Sequence, residues 1–205
     1  MDNGGSLPLL NLDFSQKFSP ESDLGLLLRT TNFAAIKHKN QRRKDPEKTP
    51  YINHPVGVAH ILAAEGGVTD ITVLQAAVLH DTVEDTDTTL DEIEQHFGAH
   101  VRSIVAEVTD NKALAPADRK RQQIEKAPHV SFQAKLVKLA DKLYNLRDLY
   151  RTRPEGWPEE RAQQYFVWAG RVIEGLLGTN QPIEDKLRVL LAEKGVLLPT
   201  ERPSA

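Results

Sequence analysis

Cysteine is absent from all 205 residues. That excludes a disulfide framework and any thiolate metal site. A metal held by this chain would be held by imidazole and carboxylate, a donor set that favours manganese, iron, zinc or magnesium over softer ions. No apolar run is long enough to span a membrane. The first residues, Met1 to Glu21, mix glycine, serine, proline and scattered leucine. They lack the charged start and long apolar stretch of a signal peptide and the arginine content of a transit peptide. The expected location is therefore the cytoplasm, with the nucleus as a second compartment, and no membrane partner. There is no glycine-rich phosphate loop, no serine or cysteine nucleophile motif and no internal repeat. The formal net charge is only −3, which argues against nucleic acid as a partner. An anionic ligand would have to be drawn in by a local basic cluster.

Alternating β-branched patterns are also scarce, whereas apolar residues recur with a 3.6-residue period almost throughout. The expected fold class is all-α, one bundle of roughly eight to ten helices. Three parts are expected: a flexible segment over 1–22, one helical domain over 23–195, and a frayed tail over 196–205. The first helix should run from Asp23 to about Asn40, with Leu26, Leu27, Phe33 and Ile36 inward. Lys39 to Thr49 reads as a positively charged loop. A helix then starts at His54-Pro55, since proline suits a first helical turn, and stops near Gly66-Gly67. Thr69 or Asp70 should cap the helix that follows. Thr89 to Glu92 has the spacing of a capping box. Phe132 to Arg151 should form a long helix with Leu136, Leu139, Leu143 and Leu146 as its buried stripe.

The most informative stretch is His80-Asp81-Thr82-Val83-Glu84-Asp85. It follows an apolar helix from Ile71 to Leu79. Residues three and four apart share a helix face, so the apolar faces of this helix run directly into a histidine and three carboxylates. Turning carboxylates inward is costly unless something compensates, and a divalent cation would do so. A His-Asp pair alone is ordinary, a buried histidine beside a capping aspartate. Here it has companions. His54 sits at or next to a helix N-terminus, which disfavours imidazolium and leaves the neutral form that binds metals. Asp141 lies inside an apolar helix and needs a partner, either a lysine such as Lys138 or Lys142, or the same metal. Together His54, His80, Asp81 and Asp141 balance a divalent charge and suit Mn²⁺ or Fe²⁺. Water on such an ion becomes nucleophilic near neutral pH. Glu84 and Asp85 exceed the needs of the metal and are assigned to orienting and deprotonating that water, Glu84 being the base. Arg42-Arg43-Lys44 lies just upstream of Tyr51 and His54, where guanidinium and ammonium groups could grip phosphates. Lys142, Asn145 and Arg147 lie near Asp141 and could add phosphate or ribose contacts. His38, His60, His96, His100 and His129 are expected on the surface.

Four blocks in this order resemble the HD-domain phosphohydrolases: Arg42 to Pro46, Thr49 to Pro55, Leu79 to Thr86, and Leu139 to Arg147. Within that family the resemblance is to the RelA/SpoT-type hydrolase domain, in its stand-alone metazoan form, and it covers about Asp23 to Lys194. It implies an all-α hydrolase holding one Mn²⁺ through His54, His80, Asp81 and Asp141, with Glu84 and Asp85 activating water. The implied substrate is a small-molecule nucleotide, guanosine 3′,5′-bis(diphosphate) or its pentaphosphate form, hydrolysed to GDP or GTP and pyrophosphate. Arg43, Lys44 and Asn145 match nucleotide-contacting positions, and Tyr51 is grouped with them. Asp148 departs from the small hydroxylated residue that bacterial relatives often carry near the base. The synthetase and regulatory domains of bifunctional relatives have no counterpart after the hydrolase segment, so hydrolysis alone is expected. A second enzymatic reading keeps the site and replaces the substrate by NADPH, which carries a 2′-phosphate on a ribose. A non-catalytic nucleotide-binding protein is the alternative from another class. It would be expected to lack a ligand or the base, and none is lacking here.

Overall fold

The computed structural model describes residues 22–199. Apart from Ser22, the expected flexible segment lies outside the described residues, as do residues 200–205 of the expected tail. The described chain is all-α: α1 (Asp23–Lys37), α2 (Asn53–His60), α3 (Ile71–Leu79), α4 (Thr82–Asp85), α5 (Leu90–Phe97), α6 (Ala99–Val108), α7 (Pro116–Lys126), α8 (Phe132–Arg151), α9 (Glu159–Glu174) and α10 (Gln181–Ala192). Outside the helices, one isolated antiparallel bridge joins Arg42 to Pro50 across the basic loop. None of these helices is long and apolar enough to cross a membrane.

Local chemistry sets the helix starts. The side chains of Ser22, Asp70, Thr89, Ser131 and Asn180 each accept a hydrogen bond from a backbone N–H two or three residues on. Each such cap contributes about 1 kcal/mol. Asp70 and Thr89 are caps that the sequence pattern predicts. At the other end of α5, Gly98 takes a φ of 87°, a left-handed backbone that glycine adopts without steric cost.

α3 is the centre of the molecule. Every residue from Val73 to Leu79 is buried, and α1, α2, α6 and α8 pack around it. The expected stripe of Leu136, Leu139, Leu143 and Leu146 on α8 is buried too. α2 crosses α8 at Gly57, where a Cβ would collide with the ring of Tyr144. Only glycine permits that approach, and it brings His54 on α2 close to α8.

Several expectations need correction. α3 spans Ile71–Leu79 as expected, but the faces that lead on to Asp85 are not one continuous helix, because α4 starts afresh at Thr82. Two side chains take up carbonyls at the break: His80 Nδ1 binds Ala77 O at 2.7 Å, and Thr82 Oγ1 donates to Leu79 O at 2.7 Å. Ile36 is 42% exposed, because the buried stripe of α1 runs through Thr30, Phe33 and Ala34 instead. His38 is buried, not superficial. Its Nδ1 lies 2.7 Å from Gln41 Oε1, and its ring packs 4.9 Å from that of Tyr51. His96 is half-buried, with its ring 5.3 Å from Phe33. The other three, His60, His100 and His129, are exposed as expected. In the expected tail, Leu198 packs on the core, and Arg188 donates to the carbonyls of Leu198 and Pro199.

Arg147, expected beside Asp141, turns the other way. Six residues on a helix amount to about 240° of rotation. Its guanidinium instead donates to both oxygens of Glu65, at 2.6 and 2.9 Å. That bond holds the Glu65 carboxyl down at about 2, against an ordinary 4.5. A depressed carboxyl stabilises the fold above its unfolded pKa and loses that contribution as pH falls through the folded one. The pair is partly exposed, so the effect is at most about 1 kcal/mol. Urea denaturation should show stability falling between pH 4.5 and pH 2, with a shallower fall in Arg147→Met. Equal slopes in the two proteins would remove the pair from the stability of the fold.

Candidate metal centre and active site

Three separate helical segments bring the four expected metal ligands together. His54 stands in the first turn of α2, His80 and Asp81 form the break between α3 and α4, and Asp141 projects from α8. Asp81 Oδ2 lies 3.0 Å from His80 Nε2 and 3.4 Å from His54 Nε2. Asp141 Oδ1 lies 3.2 Å from His54 Nε2 and 3.8 Å from His80 Nε2. His54, His80 and Asp81 form one mutually close donor set, and Asp141 joins it through the two imidazoles.

This arrangement fits a divalent cation. Neighbouring donors bonded at about 2.1 Å to one ion lie about 3.0–3.5 Å apart. The carbonyl of Ala77 can only accept, so the proton of a neutral His80 sits on Nδ1 and the lone pair on Nε2. That Nε2 is buried without a hydrogen-bond partner, although Asp81 is beside it. Without a cation the cage draws in protons. Burial opposes a charge on His80, but Asp81 and then Asp141 push it up to about 9. Burial also opposes the two carboxylate charges. His80 and His54 nevertheless hold Asp81 well below the usual carboxylate range, and Lys142, followed by the histidines, does the same for Asp141.

Surrounding side chains fix the ligands. The hydroxyl of Tyr51 donates to Asp81 Oδ2 at 2.6 Å. Burial, and then Asp81, push that phenol far above its ordinary value, so it stays a donor. Lys142 donates to Asp141 Oδ2 at 2.9 Å, and Asn145 to Asp141 Oδ1 at 2.6 Å. Lys142 is buried and also lies 5.1 Å from the Trp168 ring. Its charge is therefore committed to the cage.

The other two acidic residues are in different surroundings. Glu84 lines the cavity around the cage. Its Oε2 accepts from the Asp110 N–H at 3.1 Å, and its Oε1 lies 3.8 Å from Arg119. Burial raises its pKa, opposed by the Asp110 N–H and aided by the carboxylates of Asp110, Asp81 and Asp85. Asp85 is neutralised instead: Lys112 reaches Oδ1 at 2.6 Å and Gln41 reaches Oδ2 at 2.8 Å.

Beside the cage opens a chamber of about 670 Å³, lined by Arg43, Lys44, Tyr51, Tyr144, Asn145 and Trp157 among others. Arg43 donates to Asn145 Oδ1 at 3.0 Å and to Asp148 Oδ2 at 2.8 Å. Its guanidinium lies 5.7 Å from the Tyr51 ring and 5.6 Å from the Tyr144 ring. Lys44 is exposed at the chamber wall. The departure noted at Asp148 thus has a local role: it anchors Arg43 and also binds Arg151 at 2.6 Å. Gln41, Lys112, Arg119 and Tyr144 were not anticipated from the sequence. Lys112 and Arg119 come from segments whose own pattern carries no chemical signal, whereas Gln41 and Tyr144 lie inside the basic loop and the Leu139–Arg147 block without standing out there.

The sequence profile described as "HD domain" matches residues 30–170. A guanosine-3′,5′-bis(diphosphate) 3′-pyrophosphohydrolase, MESH1, of Mus musculus is 65% identical over 177 residues, covering 86% of this chain and 99% of the mouse protein. The protein of the same name from Drosophila melanogaster is 53% identical over 165 residues, covering 80% and 92% respectively. A solved structure, described as a metazoan ortholog of SpoT that hydrolyzes ppGpp and plays a role in starvation responses, has a TM-score of 0.83 at 49% identity. It covers 88% of this chain, and all of that chain is matched (100%).

The Tyr51 hydroxyl is the only part of that side chain that Phe lacks. Removing a group that orients a ligand typically lowers metal affinity about tenfold or more. Calorimetric titration of Tyr51→Phe with a divalent metal should show that loss. An affinity equal to wild type would take Tyr51 out of the centre.

Proposed function

The chain belongs to the HD-domain family, and from that premise we propose that it hydrolyses guanosine 3′,5′-bis(diphosphate) and its pentaphosphate form to GDP or GTP and inorganic pyrophosphate. The observation that carries this reading is the junction of two spaces. A chamber with Arg43, Lys44 and Asn145 on its walls meets a buried cage of two imidazoles and two carboxylates with Glu84 beside it. The names borne by relatives at 53–65% identity support the same substrate.

The cage residues His54, His80, Asp81 and Asp141 would hold one Mn²⁺, their mixed nitrogen and oxygen donors suiting that ion. When bound, the cation supplies Lewis-acid polarisation of a phosphoryl oxygen and a lowered pKa for water. The remaining work falls to the chain's own groups. The nucleoside occupies the chamber with its 3′ side toward the cage. Arg43 is held ready by Asp148 and Asn145, and exposed Lys44 meets the phosphates on the open side. Glu84 takes the proton of the attacking water. Its raised pKa makes it a better base than an ordinary carboxylate. The water oxygen bonds to the phosphorus attached to the 3′ oxygen, and the bond from that phosphorus to the 3′ oxygen breaks. The 3′ oxygen leaves as the hydroxyl of GDP after gaining a proton. Asp85, already neutralised by Lys112 and Gln41, orients the water and does not compete for its proton.

Two variants separate the roles. Asp81→Ala should lose both bound metal, by elemental analysis, and turnover. Glu84→Ala should retain the metal and lose about 10²–10⁴-fold in kcat. Normal turnover by the Glu84 variant would overturn the assignment of the base.

Substrate choice is tested by measuring guanosine tetraphosphate and NADPH side by side on the manganese-loaded protein. Pyrophosphate release from the guanine nucleotide is expected. Phosphate release from NADPH with no pyrophosphate from the guanine nucleotide would reverse the assignment. In the same assay Lys44→Ala should raise KM with little change in kcat, as loss of ground-state phosphate binding requires.

A further inference from the structure

Three cavities lie in series through this molecule. The nucleotide chamber shares Arg43, Tyr51, Asp85, Asn145 and Tyr165 with the cavity around the cage. The cage cavity shares Asp110, Gln123 and Lys138 with a third cavity, of about 240 Å³, lined from α6, α7, α8 and their connections. The chamber and the third cavity have no lining residue in common. They meet the cage along different walls.

The third cavity carries three cationic side chains, Lys138 among them where it adjoins the cage. Lys138 is half-buried on α8 and makes no hydrogen bond or ion pair with another described residue. Arg119 lines the same cavity, its guanidinium 3.8 Å from Glu84. Lys126 lines it from an exposed position on α7. Two carboxylates also line this cavity, each held in place by a neutral donor. Asp110 accepts from Gln123 Nε2 at 2.5 Å, and Glu107 accepts from the Ser131 N–H at 2.6 Å.

A half-buried ammonium with no hydrogen bond or ion pair is costly. Burial, and next the neighbouring Lys142, pull Lys138 down to about 8, opposed at longer range by Asp110, Asp141 and Glu84. An anion in direct contact with Lys138 would offset the burial and the repulsion from Lys142. The reaction proposed above produces such an anion. Its pyrophosphate product is formed at the cage while the nucleotide product still fills the chamber, so the chamber is closed to it.

We propose that the third cavity binds inorganic pyrophosphate and is its route out of the enzyme, with Lys138 as the principal contact and Arg119 and Lys126 completing the site. This rests on the hydrolytic reading of the cage. It adds an anion site that has no lining residue in common with the chamber and adjoins the cage through Lys138 and, by way of Glu84, Arg119.

Calorimetric titration of the manganese-loaded protein tests it, with inorganic pyrophosphate as one titrant and GDP as the other. Manganese is kept in excess, so that chelation by free pyrophosphate is the same in every run. Lys138→Met keeps the length and apolar stem of the side chain and removes the charge. It should weaken pyrophosphate binding tenfold or more, as loss of a charge-assisted contact does, and leave GDP binding within twofold of wild type. Lys126→Gln, at an exposed position that does not endanger the fold, should weaken pyrophosphate binding about threefold by loss of a rim charge. Lys44→Ala, on the chamber side, should do the opposite and weaken GDP alone. Pyrophosphate binding unchanged in both the Lys138 and Lys126 variants would overturn the proposal, as would equal losses for pyrophosphate and GDP. A wild type that binds pyrophosphate in this Lys138-dependent way, yet releases none from guanosine tetraphosphate, would keep the anion site and overturn the substrate assignment instead.

Discussion

The negative charge of Asp81 and Asp141 has to be held inside the protein, and the rest of the structure is arranged around that constraint. Burying one carboxylate costs several kcal/mol even after relaxation, roughly. Two of them approach the same pair of imidazoles. Partial compensation comes from the chain: Lys142 and Asn145 for Asp141, Tyr51 for Asp81. Each partner is itself set in place by packing. Lys142 lies between the cage and the Trp168 ring, and Tyr51 packs against His38 and His54. The fully buried leucines of α8 provide the apolar contact that offsets the cost of carrying Asp141 inward. Remaining negative charge is what a divalent cation would neutralise.

The partners around α4 give one acidic cluster three different surroundings. Asp81 and Asp85 stay one helical turn apart, the Asp85 N–H donating to the Asp81 carbonyl at 2.8 Å, a spacing at which like charges repel. Asp81 faces the imidazoles of the cage, Glu84 accepts from the Asp110 N–H, and Asp85 is held by Gln41 and Lys112. Their environments then diverge. Asp81 is held strongly ionised by the histidines, whereas burial raises Glu84. Carboxylates with diverging pKa values are what a site needs to hold a cation with one group and accept a proton with another.

Much of this was legible in the sequence because it is local. The apolar stripe of α8, the caps at Asp70 and Thr89, and the glycine stop after α5 follow from spacing and turn chemistry. The convergence of His54, His80, Asp81 and Asp141 was legible for another reason: the last three stand where an apolar pattern makes a polar residue expensive, and His54 stands at a helix N-terminus that favours neutral imidazole. What was not legible is tertiary. The break after Leu79 depends on side chains closing onto carbonyls, which periodicity does not register. Burial of His38 depends on Gln41 reaching Asp85 and on Tyr51 folding over its ring. The partners of Asp85 and Glu84 come from Lys112 and Arg119, on a polar loop and a helix with no fully buried residue. Nothing in those segments marks them for the site. Arg147 shows the converse error: nearness in sequence to Asp141 was read as nearness in space, and the helical turn puts it on the far side.

Asn145 joins the chamber to the cage, and its side chain type is the reason it can. Its Oδ1 accepts from Arg43, and its Nδ2 donates to Asp141 Oδ1. A carboxylate at this position could accept from the guanidinium but would repel Asp141, and an ammonium could hold Asp141 but would repel Arg43. Only a group with a donor and an acceptor on one planar unit serves both sides at once. Arg43 is stacked near Tyr51 and Tyr144, and Tyr51 in turn binds Asp81. A nucleotide that draws on Arg43 therefore pulls on two contacts, each one bond away from a carboxylate of the cage. On the proposed reading, that one guanidinium would couple substrate occupancy to ligand geometry.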